Sequence, residues 1–145
     1  MSAPISLAVL RRCYPHAAAA ICNGVGPKFA QLLFRHLWRR WEGWEPNAEF
    51  FTVACEHDFA YWCGGGLLDK WAADAQFIGG CMGIAVRHTG WRKLALVIVA
   101  QMYGLAVKSV LGWLAWSFRR RGTQELVILE FSERKRRLAN GTKLL

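Results

Sequence analysis

Apolar Phe29, Leu32, Leu33, Leu37 and Trp41 fall at i, i+3, i+4, i+8 and i+12, the spacing of one helix face, and predict a helix over 28–41. Ahead of it, residues 3–20 read as a first apolar segment interrupted by Pro15. Between the two lies Cys22-Asn23-Gly24-Val25-Gly26-Pro27, a turn or loop. Its glycines permit backbone angles closed to other residues, and Pro27 keeps a helix from running back through it. The chain breaks again over 43–46. Asn47 then suits an N-cap for a helix over 48–62, with Glu49 favourable in the first turn. Gly64, Gly65 and Gly66 end that helix, and a second over 67–82 follows at once. So short a connection makes the two helices antiparallel neighbours, closed by 81–90.

The next run, 94–118, is strongly apolar, with Arg92 and Lys93 before it and Arg119, Arg120 and Arg121 after it. A bilayer span needs roughly 20 apolar residues, so length permits one. Lys108, with Gln101 and Ser109, argues against it, because a lysine in mid-membrane costs about 2.5 kcal/mol or more. A buried or interface-lying apolar helix over about 92–118 is expected instead. Residues 125–131 leave room for a short β element near the C-terminus, and 132–145 read as a basic, frayed tail. The pattern as a whole predicts a mainly α chain, a single domain over 1–145 built on an antiparallel helix pair with flanking helices.

Composition sharpens the choice of partners. A chain of 145 residues supports one core and not two. Its net charge of +9 favours anionic surfaces, phospholipid headgroups or nucleic acid. Arg35, Arg39 and Arg40 are interleaved with Trp38, Trp41 and Trp44, and the arginines at 119–121 follow Trp113, Trp116 and Phe118. Cations beside amphipathic rings suit a membrane–water interface, and equally bases stacked from a single strand. No nucleic-acid-binding signature supports the second, which leaves a phospholipid membrane surface, anionic by charge, as the expected partner. The bland alternative for each cluster is a core helix with a solvated basic face. Five cysteines (Cys13, Cys22, Cys55, Cys63, Cys81) match no common metal spacing, and the odd number leaves at least one thiol unpaired or intermolecular. Residues 1–10 lack the charged start of a signal peptide, which favours a reducing, cytoplasmic or peripheral membrane setting.

The chemistry concentrates in Cys55-Glu56-His57-Asp58-Phe59-Ala60-Tyr61 and in Ala73-Asp74, seventeen residues after the histidine. On a helix His57 and Tyr61 share a face, while Asp58 lies about 100° round. If the next helix returns antiparallel, Asp74 can reach the far nitrogen of His57, fix its tautomer and stabilise the imidazolium formed on taking a proton from water. Asp58 is left for a hard cation, with carbonyls of a glycine loop to complete the shell. Each group also has a plainer reading. His57 and Asp58 can be a surface pair, Tyr61 core, and Asp74 the partner of Lys70, four residues earlier, in a surface salt bridge. His16, His36 and His88 have no comparable context.

The segment His57-Asp58-x-x-Tyr61, with Ala73-Asp74 and Phe77 downstream and Gly24-x-Gly26-Pro27 upstream, resembles the active-site helix pair and calcium loop of the phospholipase A2 superfamily. The resemblance covers roughly residues 22–80. It implies His57 as the base that activates a water, Asp74 orienting it and Tyr61 in support. It implies Ca²⁺ bound by Asp58 with Asn23, Gly24 and Gly26, polarising the sn-2 ester carbonyl of a membrane glycerophospholipid. Cys55 stands two residues before His57 and position 60 is Ala, so the family's helix-pair disulfides look absent. The same scaffold without the chemistry, a catalytically inactive membrane-binding module, is the alternative.

Overall fold

A computed structural model describes residues 6–22, 44 and 46–141, without the side chain of Asn47. The expected loop at 23–27, with Asn23, Gly24 and Gly26, and the expected helix over 28–41 lie outside the described residues. Among the described residues there are seven helices, and the mainly α expectation holds.

Pro15 starts a helix instead of only interrupting one. α1 (Leu7–Cys13) is capped by Ser6, whose hydroxyl accepts from the Val9 amide, and α2 (Pro15–Ile21) carries Pro15 in its first turn, where a missing N–H costs nothing. α3 (Pro46–Cys63) begins one residue before Asn47, so Asn47 sits inside the helix and not at its cap. Gly64 and Gly65 both adopt positive φ, +69° and +144°, which turns the chain back within three residues into α4 (Leu67–Ala85). Contacts of His57 with Phe77 and of Val53 with Gly80 step in opposite directions along the two helices, as an antiparallel pair requires.

α5 (Gly90–Lys108) packs along α4, and there the apolar run departs from a single helix over 92–118. It breaks at Ser109, which is extended (ψ 176°), and resumes as the short α6 (Val110–Ala115). The Ser109 hydroxyl accepts from the Leu111 amide at 3.2 Å, so that amide no longer seeks the Val107 carbonyl as it would in a continuous helix. Residues 116–121 then cross the Gly64–Gly66 turn: the Gly65 amide donates to Ser117 O at 2.9 Å and the Arg121 amide to Cys63 O at 2.9 Å.

The short β element expected over 125–131 is helical. α7 (Thr123–Ala139) also absorbs most of the segment expected to be a frayed tail from 132 onward; 142–145 lie outside the described residues. Leu126 is buried against α2, and one turn on, the Glu130 carboxylate accepts from the Ala17 amide at 2.7 Å, satisfying a first-turn donor of α2. Helical spacing of these two contacts overrides the β-branched look of Val127 and Ile128, which face outward.

α3 is the wall between two cores. Phe50 and Ala54 pack with Phe77, Cys81 and Ala85 of α4 and Leu96, Val99, Ala100 and Tyr103 of α5. Phe59, on another face, packs with Leu10 of α1, Ala17, Ala18 and Ile21 of α2 and Leu126 of α7. Each Leu, Ile, Val or Phe among them, removed from water, contributes on the order of 1.5–3 kcal/mol. Among the described residues no helix is long and apolar enough to cross a membrane.

Candidate functional site

His57 and Tyr61 lie on the stripe of α3 that includes Phe50 and Ala54, and this stripe faces α4. Asp74, on α4, meets both. His57 Nε2 stands 3.2 Å from Asp74 Oδ1, and the Tyr61 hydroxyl donates to the same oxygen at 2.6 Å. The imidazole is held from both sides, with ring centroids 4.1 Å from Tyr61 and 4.5 Å from Phe77. His57 is 8% exposed and Asp74 4%. The sequence expectation that Asp74 would approach His57 across the helix pair therefore agrees with the geometry, and the alternative of a pair on the surface does not.

The fourth member was read differently from the sequence. Lys70 pairs with Asp74 as its i,i+4 spacing suggests, but the pair is interior: Lys70 is 1% exposed, and its ammonium donates to Asp74 Oδ2 at 2.7 Å and to Val107 O at 3.0 Å. That carbonyl is open to Lys70 because the Ser109 break has taken away its helical donor. The ammonium also lies 5.4 Å from the ring centres of Tyr61 and Trp113, a favourable cation–π distance. Nothing in the spacing marks Lys70 as buried. The usable signal was a charged i,i+4 pair flanked by alanines and aromatics, on a helix whose neighbour is equally apolar.

Burial on its own raises a carboxyl pKa, but hydrogen bonds from Lys70, Tyr61 and His57 outweigh it and hold Asp74 below the usual carboxylate range. An ionised carboxylate only accepts, so His57 Nε2 carries the proton of this contact and Nδ1 the lone pair. Burial lowers the His57 pKa; the hydrogen bond and charge of Asp74 oppose that only in part, and the Lys70 charge adds to the lowering. The resting imidazole is accordingly neutral, the state a proton acceptor needs. Burial, with the bond to Asp74, raises the Tyr61 hydroxyl well above its ordinary value, so it stays a donor.

Asp58 looks elsewhere. It is half-buried on the stripe shared with Phe51, Cys55 and Trp62, which faces the end of α2. There the Cys22 thiol donates to Cys55 O at 3.7 Å and is pushed up to about 12, by burial first, then by Cys55, with the Asp58 charge adding. Cys22 is the last described residue before Asn23. Among the described residues no three His, Cys, Asp or Glu side chains gather as a metal-binding group. A site of one carboxylate completed by main-chain carbonyls has no need of such a group. Asp58 offers a hard carboxylate oxygen of the kind calcium prefers, while Asn23, Gly24 and Gly26 lie outside the described residues.

The remaining candidates fall outside this cluster. His16 lies 4.0 Å from Glu130 and His88 3.7 Å from Glu49, and His36 lies outside the described residues. All five cysteines are thiols. No protein-family model, curated protein or solved structure matches the chain.

Proposed function

We propose that this chain is a phospholipase A2-like hydrolase that cleaves the sn-2 acyl ester of membrane glycerophospholipids with calcium as cofactor. The observation that carries the reading is the 3.2 Å contact of His57 Nε2 with a buried, ionised Asp74 on the antiparallel neighbour. It leaves Nδ1 of a neutral imidazole as the base. His57 takes a proton from a water at Nδ1, and the imidazolium so formed is countered by Asp74, which stays ionised throughout. Tyr61 on Oδ1 and Lys70 on Oδ2 fix the carboxylate toward the ring. Asp58, with Asn23, Gly24 and Gly26, would hold calcium, which when bound supplies an electrophile for the ester carbonyl.

The test is fatty acid released from phosphatidylcholine–phosphatidylserine vesicles with calcium present. Release is expected from the native chain and from neither His57→Ala nor the native chain in excess chelator. Undiminished release in either arm overturns the reading.

A second reading has its own support. A carboxylate held by an ammonium that is 1% exposed, beside a ring clasped between Tyr61 and Phe77, also serves as a structural polar network in a membrane-binding module without catalysis. Vesicle binding without lysophospholipid at any calcium concentration would select it.

A further inference from the structure

Two of the molecule's exposed apolar stripes adjoin a basic segment. α4 opens with Leu67, Leu68 and Trp71 on one outward stripe, and α6 presents Val110, Leu111 and Leu114 on another. Leu68 is 75%, Leu111 67% and Leu114 77% exposed, values more usual for lysine than for leucine. The two stripes are joined. Lys70, next to Trp71, lies under the Trp113 ring, the Trp116 indole donates to Gly65 O at 3.3 Å, and Arg120 reaches Asp69 at 3.0 Å. Trp113 in turn stacks with Phe118 at 6.0 Å. The two stripes thus stand on adjoining segments with a rigid base, because residues 116–121 are pinned by main-chain hydrogen bonds to the Gly64–Gly66 turn.

The rim of the two stripes is basic. Lys108, Arg119, Arg120 and Arg121 border them against two carboxylates, Asp69 and Glu125. The ion pairs among them are exposed and worth at most about 1 kcal/mol each, so exchanging a carboxylate for a lipid phosphate costs little. Two cations remain in excess, on a chain whose net charge is +9. A second copy is a poor occupant. A twofold interface on these stripes would set the arginine triplet of one protomer close to that of the other, with both chains strongly positive.

We infer that the outward stripes of α4 and α6 are the surface by which this chain docks on an anionic lipid bilayer. Leu68, Trp71, Leu111 and Leu114 enter the acyl boundary, Trp113 and Phe118 sit at headgroup level, and the arginines engage lipid phosphates. The inference shares with the hydrolase reading only the substrate surface.

Binding is read by tryptophan fluorescence on phosphatidylcholine vesicles with and without phosphatidylserine, in chelator, so that turnover is silent. The native chain is expected to bind, more tightly with phosphatidylserine and less tightly as salt rises. Leu111→Asp with Leu114→Asp is expected to weaken binding about a hundredfold, the loss of two buried leucines. Arg119→Gln with Arg120→Gln is expected to remove most of the phosphatidylserine dependence. Leu138→Asp, at the far end of α7, serves as the control and is expected to bind as the native chain does. Should the double aspartate variant lose its helical dichroism, Leu111→Ser with Leu114→Ser carries the same comparison. Native-like vesicle affinity in both pairs overturns the inference. So does a loss of dimer by light scattering with vesicle affinity intact, which would make a second copy the occupant. Vesicle binding as expected, with no hydrolysis once calcium is restored, removes the hydrolase and leaves the docking surface standing.

Discussion

Asp74 makes three hydrogen bonds from inside the protein, and each donor depends on it differently. Lys70 depends most, since removing the carboxylate strands a buried ammonium with only the Val107 carbonyl. Asp74→Asn is therefore expected to cost roughly 3–5 kcal/mol in urea unfolding, as for other buried pairs cut on one side. Tyr61→Phe removes a donor from Oδ1 of the ionised carboxylate and is expected to cost about 1.5–3 kcal/mol. The protonation equilibria fix the direction of pH dependence. His57 binds its proton less readily folded than unfolded, so stability falls as pH drops below the ordinary histidine value of about 6.5. Asp74 is more acidic folded than unfolded, so a second loss begins below about 3.9 and runs down through its depressed folded value. Melting temperature against pH checks both, and His57→Gln should flatten only the upper step. A melting temperature that rises on acidification from neutrality would contradict the assignment. At this scale spacing placed His57 and Tyr61 on one face, and an antiparallel return of the next helix put Asp74 within reach of His57. Burial of Lys70 was not legible, because it depends on a carbonyl that only the folded chain brings near.

Helix breaks decide which carbonyl that is. A continuous apolar run over 94–118 contains no proline and reads as one helix, yet Ser109 ends it by capping the next helix through its own hydroxyl. Ser109→Ala is expected to cost about 1 kcal/mol by loss of the cap. It also returns the Leu111 amide to Val107, and Lys70 then shares its acceptor. A loss in thermal unfolding clearly larger than a cap alone explains is the expected signature; an effect near zero would show the break to be set elsewhere. The Gly64–Gly66 turn was legible, since a glycine run between two periodic segments leaves little alternative. Gly64→Ala is expected to destabilise by at least about 1 kcal/mol from its positive φ, before any contact with the Ser117 carbonyl is counted. The strand expected over 125–131 failed for a reason of tertiary origin. Leu126 and Glu130 are one helical turn apart and both engage α2, one by burial and one by accepting from Ala17. No local pattern reveals that a carboxylate will close the start of a helix more than a hundred residues away.

Across the whole molecule, large apolar side chains reach the surface on four helices, with Leu68 on α4, Leu105 on α5, Leu111 and Leu114 on α6 and Phe131 on α7, while basic residues follow α6 at 119–121 and fill the outer part of α7 at 134–137. Composition announced an affinity for anionic surfaces without indicating a face, because a net charge carries no position. Only the fold shows that segments distant in the sequence adjoin.

The Lys70 ammonium joins these scales through the main chain of residue 107. Because its acceptor is backbone, exchanging Val107 for another residue leaves the strut in place and is felt only through the packing of that side chain against the core. Vulnerability moves instead to Ser109, whose hydroxyl keeps that carbonyl open, and to Gly112, where a methyl group would press into it. Replacing the 107–108 amide by an ester, which weakens the carbonyl as an acceptor and alters no side chain, would loosen the interior carboxylate from a position no ordinary substitution reaches.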